Sequence, residues 1–414
     1  RLRQTFINLK KGYPTIGLEG GTGMGENDCF VLRGSVVLAD GILEEGMVVI
    51  QGERIAYAGP PLSRFGDSAG EFAVPGFIWP GLIDLHVHGA GGADVMDATP
   101  KSLATISRTL ARHGVTGFLA TTVTMSKSRL EQAFNNVAET APSLEGARVL
   151  GIHLEGPWIC PRHRGAQNPE YITDPDPEEA MWALKKAGGM LRVVTMAPER
   201  PRGMETVRLL SSKGVIVSIG HTGATYEQAL SAIDAGATQV THCFNGMTGL
   251  HHRSPGVVGA VLTEDRLFAE LIADGFHVHP AAVKLLAKLK GDDKLILISD
   301  GIRAVGMPDG EYELGGLPVI AREGKAVLAD GRLAGSLLTL DRAVRNMVRF
   351  TGMPLWKAVR MASLIPARRL GLDRVLGSLE TGKRADLVVT DESCNVLKVW
   401  IGGKLAFDRE TFCE

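Results

Sequence analysis

The chain has 414 residues, a length that accommodates two to three domains. Hydrophobic residues make up 44% and charged residues 22%, which excludes an intrinsically disordered chain. Lys plus Arg (45) balances Asp plus Glu (46) to a net charge of -1, so no nucleic-acid partner held by an overall positive field is expected.

Residues 1–28 end in a Gly-rich stretch (Gly20-Gly21-Thr22-Gly23-Met24-Gly25) without hydrophobic period and read as a flexible N-terminal extension. No basic region followed by an apolar one opens the printed sequence, so no secretory signal is expected. From Phe30 to Val74 short β-rich runs follow one another: Val31-Leu32, Ser35–Leu38, Gly46–Ile50 and Arg54–Ala58, separated by Gly and Asp turns. The apolar run Phe72–Ile83 is broken by two Pro-Gly pairs and is too short to span a membrane.

A βα alternation comes next. Apolar, β-branched runs lie at Leu82–His86, Val115–Thr121, Val149–Glu155, Arg192–Ala197, Val215–Gly220, Ala237–His242, Phe268–Asp274 and Leu295–Asp300. Helical patterns separate most of them, among them Lys101–His113, Met204–Lys213, Tyr226–Ala235 and Pro280–Lys288. This repetition predicts a (β/α)8 barrel. A hairpin insertion is expected over Tyr312–Leu333, then helices at Thr339–Phe350 and Leu355–Ser363. The β-rich style resumes at Gly377–Gly382, Ala385–Thr390 and Val396–Ile401. The predicted organisation is therefore a barrel over residues 79–374 and a small β-sandwich domain built from both chain ends, 29–78 and 375–414.

Five cysteines are scattered at 29, 160, 243, 394 and 413 with no CxxC pair, which fits reduced thiols and a cytoplasmic setting. The histidines carry more information. A barrel of this type places its active site at the C-terminal ends of the strands. Here those ends carry His86 and His88, His153 and Glu155, His221, His242, Asp274 and His277, and Asp300. One His at a strand end is more often a satisfied polar residue than a ligand. Several converging on one rim are hard to reconcile with packing, because each needs burial and a partner. A metal site is the expectation, with imidazole and carboxylate donors suited to Zn or Fe. Glu155, His221 and His242 can form a three-ligand set with an open position. His86 and His88, two apart on a strand, point to one side and can complete a second site, with Glu155 bridging and Asp300 nearby.

Other groups read more plainly. His279 precedes Pro280 and reads as a helix-entry residue, and His113 sits at a helix C-terminus, where a cation favours the dipole. His163 reads as a loop residue, Cys243 as core, and His153 as a group behind Glu155. Gly89–Gly92 reads as a flexible loop over the site.

Longer stretches of text carry a resemblance: Pro80–Gly89 (PGLIDLHVHG), Gly151–Trp158 (GIHLEGPW), Gly220-His221-Thr222, and Thr241–Met247 (THCFNGM) running on to His252–Gly256. Ile272–His277 (IADGFH), Ser299-Asp300-Gly301 and Gly331–Ser336 (GRLAGS) complete the set. In these motifs, over roughly residues 30–410, the chain resembles the amidohydrolase superfamily and, within it, the N-acetylglucosamine-6-phosphate deacetylase family. The resemblance implies hydrolysis of the acetamide of a sugar phosphate in amino-sugar catabolism. It implies a divalent metal, Zn or Fe(II), one or two per subunit, held by Glu155, His221 and His242, with Asp300 as the catalytic acid/base. It also implies that Asn245, the backbone of Gly246 and Arg253 hold the sugar phosphate and that His277 contacts it. Arg253 would reach into a neighbouring subunit's site, which makes a homodimer the expected assembly.

Two departures from part of that family matter. Some members replace the first-strand HxH with Gln-x-Asn and use one metal; His86 and His88 are intact here, which allows two. Those members also have a carbonyl-polarising His twelve residues after the Glu, where this chain has Gln167. A second metal would then take over part of the polarisation, with Gln167 donating a neutral hydrogen bond. The fourth run ends in Thr195-Met196-Ala197-Pro198-Glu199, without the Lys that bridges metals in many other superfamily members. That counts against a dihydroorotase or hydantoinase. The alternatives that remain are an N-acetylgalactosamine-6-phosphate deacetylase and a cyclic amidohydrolase or deaminase.

Overall fold

The computed structural model describes residues 29–62, 70–291 and 293–411. The extension expected over residues 1–28 lies outside the described residues. Eight strands form a parallel sheet in strictly sequential order: Leu82–Val87, Val115–Thr122, Arg148–Glu155, Leu191–Met196, Ile216–Ile219, Ala237–Val240, Phe268–Leu271 and Leu295–Leu297. We refer to them as the first to eighth barrel strands. The cylinder closes where the Asp300 amide donates to the His86 carbonyl (2.9 Å) and the His88 amide to that of Gly301 (2.8 Å). Every residue of the first two strands is buried, as expected of strands covered on both faces.

The helices between strands begin where the sequence supplies caps. Thr99 accepts from the Ser102 amide ahead of helix Pro100–Arg112, and Thr225 from the Gln228 amide ahead of Tyr226–Asp234. Each satisfies an amide that lacks an intrahelical partner. Helices Lys127–Thr140, Pro177–Lys186, Gly203–Ser212, Gly256–Thr263 and Pro280–Lys290 continue the ring, and Leu340–Thr351, Leu355–Met361 and Leu364–Arg369 follow the eighth strand. The last four barrel strands are shorter than the apolar runs suggest. The ladder stops at Ile219, Val240, Leu271 and Leu297, and the residues beyond turn into the barrel mouth.

Strands from both ends of the chain build a second, seven-stranded sheet. Cys29–Val37, Ile42–Gln51, Arg54–Gly59 and Gly70–Pro80 join Leu387–Thr390, Val396–Ile401 and Lys404–Asp408. Alternate residues serve two cores. Val388 and Val399 belong to the barrel core, while Leu387, Val389 and Trp400 belong to a separate cluster with Leu32, Ile50 and Ile55. Phe30 and Trp400 lie three strands apart in the sheet, yet their ring centroids are 5.6 Å apart. The sheet therefore curls over its own core.

Two insertions frame the barrel mouth. The expected hairpin is a three-stranded antiparallel sheet, Gly310–Leu314, Leu317–Arg322 and Lys325–Val327. Gly89–Gly92 is not the flexible loop that its glycines suggest: buried Gly89–Ala90 pairs with buried Ala93–Asp94 across a two-residue turn, Gly91-Gly92. A side chain at Gly89 would meet the Ala93 carbonyl oxygen at 2.3 Å, so the close approach requires Gly.

Candidate metal centre

The strand ends place the histidines and acids on one rim. His86 and His88 leave the first strand on one face, Glu155 ends the third, and His221, His242 and Asp300 follow the fifth, sixth and eighth. His221 (φ 47°), His242 (φ 28°), Phe244 (φ 80°) and Asp300 (φ 50°) occupy the left-handed region although none is Gly. Such backbone costs on the order of 1–2 kcal/mol per residue and persists where the surroundings impose it. At His221, His242 and Asp300 it goes with side chains that line the mouth.

Two trios of donor atoms face the mouth, Glu155, His221 and His242 in one and His86, His88 and Asp300 in the other, and a third set, His86, His153 and Glu270, lies behind them. In the first, the Nε2 atoms of His221 and His242 are 3.1 Å apart, and each lies 3.2 Å from Glu155 Oε1. In the second, Asp300 Oδ1 is 3.4 Å from His86 Nε2 and 3.2 Å from His88 Nε2. Glu155 joins the two, with Oε1 3.3 Å from His86 Nε2 and Oε2 3.3 Å from His88 Nε2. Gln167 donates to Glu155 Oε2 at 2.6 Å and accepts from the Thr124 amide at 2.7 Å.

The far side of each ring fixes its tautomer. Nδ1 donates to the His163 carbonyl in His221 (2.9 Å), to the Asn245 carbonyl in His242 (3.1 Å), to the Thr121 carbonyl in His88 (3.3 Å) and to Glu270 Oε2 in His86 (3.2 Å). A backbone carbonyl can only accept, so the Nδ1 of His221, His242 and His88 holds a hydrogen, and each such ring, when neutral, presents a lone pair at Nε2. With all four rings neutral, their lone pairs would face one another and two carboxylates at 3.1–3.4 Å. That arrangement is repulsive unless positive charge sits among them. The separations also match the ~3.4 Å edge expected of donors ~2.1 Å from a tetrahedral ion. The residues present fit a divalent cation.

The electrostatics state the same demand. Burial opposes charge on every group, yet Glu155 and Asp300 hold His86 well above its ordinary range. Against burial, Asp300 and Glu155 raise His88 to about 9. Burial also opposes ionisation of the acids. Even so, His86, His221 and His242 keep Glu155 well below the usual carboxylate range, and His86 and His88 bring Asp300 down to about 2. The two carboxylates require compensating positive charge, supplied by protons or by a metal.

The cluster floors a pocket of about 280 Å³ whose walls include Gln167, Asn245, Gly246, His277 and Arg332. Gly246 (φ 59°) packs on a ligand ring, where a Cβ would lie 3.0 Å from His221 Nδ1. His277 Nδ1 is 2.7 Å from Asp274 Oδ2, and that carboxyl is held low against burial by His277. Arg253 does not line the pocket of its own chain. It sits on an exposed turn, with Nη1 2.7 Å from His252 Nε2. His279 caps helix Pro280–Lys290 by accepting from the Ala281 amide, and His153 bonds the Leu85 carbonyl and Thr195 Oγ1 behind the cluster.

Sequence reasoning left two groups without a role. Arg332 lines the pocket, paired with Asp330 and donating to the Gly165 carbonyl (2.6 Å). Glu270 is fully buried under His86. A lone acid inside the apolar run Phe268–Ile272 was the available signal, because a buried charge needs a dedicated partner.

The profile of the amidohydrolase family matches residues 77–406. The chain is 46% identical to an N-acetylgalactosamine-6-phosphate deacetylase of Escherichia coli O157:H7, over 80% of this chain and 87% of that protein. It is 44% identical to an N-acetylglucosamine-6-phosphate deacetylase of Vibrio furnissii, over 81% of this chain and 84% of that one. Among solved structures, an aspartate-to-alanine variant of N-acetyl-D-glucosamine-6-phosphate deacetylase from Mycobacterium smegmatis, in complex with N-acetyl-D-glucosamine-6-phosphate, superposes with a TM-score of 0.87 at 34% identity. That match covers 92% of this chain and all of that one. With two histidine–carboxylate trios at the strand ends of a closed barrel and these relatives along most of its length, the chain belongs to the amidohydrolase family, in the branch of the amino-sugar-6-phosphate deacetylases.

Proposed function

We propose that the protein hydrolyses the acetamide of N-acetylglucosamine 6-phosphate to glucosamine 6-phosphate and acetate, as a metal-dependent enzyme of amino-sugar catabolism in the cytoplasm. The observation that carries this reading is Asp300 facing both His86 and His88 beside the Glu155–His221–His242 trio, on the floor of a pocket open to a small ligand.

Glu155, His221 and His242 would hold one cation, Zn or Fe(II), and His86, His88 and Asp300 a second. Such an ion supplies a Lewis acid that polarises the acetyl carbonyl and lowers the pKa of a water. Asp300 takes the proton from the attacking water and passes it to the amine nitrogen as the C–N bond breaks. Its ionised state in the cluster suits the first of these transfers. Gln167 has one amide hydrogen on Glu155, which leaves its second to donate to the carbonyl oxygen. Asn245, the Gly246 amide and His277 line the side of the pocket where the sugar phosphate would lie. Arg253 would add a fork-shaped phosphate contact from a second copy in a homodimer; its exposed position outside its own pocket supports that reading.

The galactosamine epimer remains a second substrate reading, because a relative of that name is as similar as those named for the glucosamine compound. Acetate release from both phosphorylated epimers, compared as kcat/KM, decides between them. At least tenfold preference for the gluco epimer is the expected result, and the reverse preference would reassign the substrate.

A further inference from the structure

We propose that Glu270 is a positioning residue that specifies the second cation site, the one formed by His86, His88 and Asp300. The inference rests on reading the cluster as a metal centre and adds the device that makes one half of it.

Glu270 lies on the seventh barrel strand and is fully buried. One oxygen, Oε2, accepts from His86 Nδ1 (3.2 Å) and from the His242 amide (3.3 Å). It thus grips a donor residue from each trio. The other oxygen, Oε1, accepts from Gln239 Nε2 at 2.7 Å. Gln239 Oε1 in turn accepts from Arg369 Nε at 2.9 Å, and Arg369 also bonds Thr238 Oγ1. The relay runs from helix Leu364–Arg369, through the sixth and seventh strands, to a ring on the first.

Every donor in this relay points toward Glu270. Arg369 can only donate, so it fixes which end of the Gln239 amide faces it. Gln239 must then donate to Glu270. His86 must donate as well, which keeps its Nε2 lone pair aimed at Glu155 and Asp300. Only a group that accepts on both oxygens satisfies all three neighbours, and that is a carboxylate. An ordinary buried acid needs one partner; this one is wired to the tautomer of a ligand. Arg369 supplies the distant countercharge without touching the cluster.

The account predicts a difference between Glu270→Gln and Glu270→Ala that simple packing does not. Gln at 270 sets a donor against a donor either at Gln239 or at His86. Adding Arg369→Met frees the Gln239 amide to turn over and should restore the chain.

Zn²⁺ bound per chain, measured by equilibrium dialysis and metal analysis, tests the proposal without any substrate. Circular dichroism and thermal melts check the fold of each variant. The wild type should bind about two ions and Glu270→Ala about one, matching a His86→Asn reference. Glu270→Gln should weaken only the second ion, by about 10- to 100-fold, with partial recovery in Glu270→Gln/Arg369→Met. Two ions at wild-type affinity in folded Glu270→Ala would overturn the proposal. If Glu270→Ala does not fold, unchanged second-ion affinity in Glu270→Gln overturns it equally. A wild type that binds no Zn²⁺ would instead remove the metal-centre reading itself.

Discussion

At the scale of single residues, Asp300 carries the proposed chemistry. It faces two imidazoles that keep it ionised, and it lines the pocket. Asp300→Asn should therefore lower kcat by about 10²–10⁴-fold with KM little changed, the loss typical of removing a general acid/base. Steady-state kinetics on the sugar phosphate check this, and near-normal turnover would end the role. Gln167 is a subtler case. Its short bond to Glu155 makes it a holder of the joining carboxylate as well as a possible donor to substrate. Gln167→Ala should cost about 10- to 100-fold in kcat, the usual scale for a group that orients a ligand. Unchanged kcat in steady-state kinetics would leave the metals as the sole electrophile and end that role. The candidate ligands were legible in the sequence because His and acidic groups at strand ends have few reasons to converge. Glu270 and Arg332 were not, because their roles depend on which neighbours the barrel brings beneath and above the site. The left-handed backbone at His221, His242 and Asp300 leaves no mark in residue type either.

At the scale of elements, the strands and most of the helices followed from hydrophobic period. The ends of the later strands did not, since apolar character runs on past the last ladder bond. The paired turn at Gly89–Asp94 reads as a loop in the sequence because Gly signals close approach as well as freedom. One element contact predicts a pH effect. Asp341, in the first turn of helix Leu340–Thr351, pairs with Arg345 (2.9 Å) and lies 3.6 Å from His113 at the end of helix Pro100–Arg112. Burial opposes its ionisation, but His113 and Arg345 hold its carboxyl below the ordinary value. A depressed folded-state value stabilises the fold above the unfolded pKa of about 4 and is lost as pH falls through the folded one. Asp341→Asn should thus lower stability by about 1–3 kcal/mol near neutrality. Thermal melts should show the gap between variant and wild type narrowing below about pH 4. A gap that is constant or widens in acid would show that the ion contacts are not what Asp341 contributes.

At the scale of the whole molecule, both chain ends fold into one curled sheet that packs on the barrel, as the matching β-rich ends suggested. The assembly is the level at which sequence speaks least, since a single chain shows only that Arg253 lies outside its own pocket. Arg253→Ala should lower kcat/KM for the phosphorylated sugar by about 100-fold, the scale of one charge-assisted contact. Mixed dimers of Arg253→Ala and Asp300→Asn chains should regain activity if the Arg crosses between subunits, because one site then holds both groups. No recovery in verified mixed dimers would place Arg253 in its own chain's site or outside catalysis. The central claim is tested most directly by acetate release from N-acetylglucosamine 6-phosphate and from the unphosphorylated sugar, before and after chelation. The account predicts hydrolysis of the phosphorylated sugar alone, abolished by chelator and restored by Zn or Fe(II). Hydrolysis that survives complete metal removal, or none of either sugar by metal-loaded protein, would contradict it.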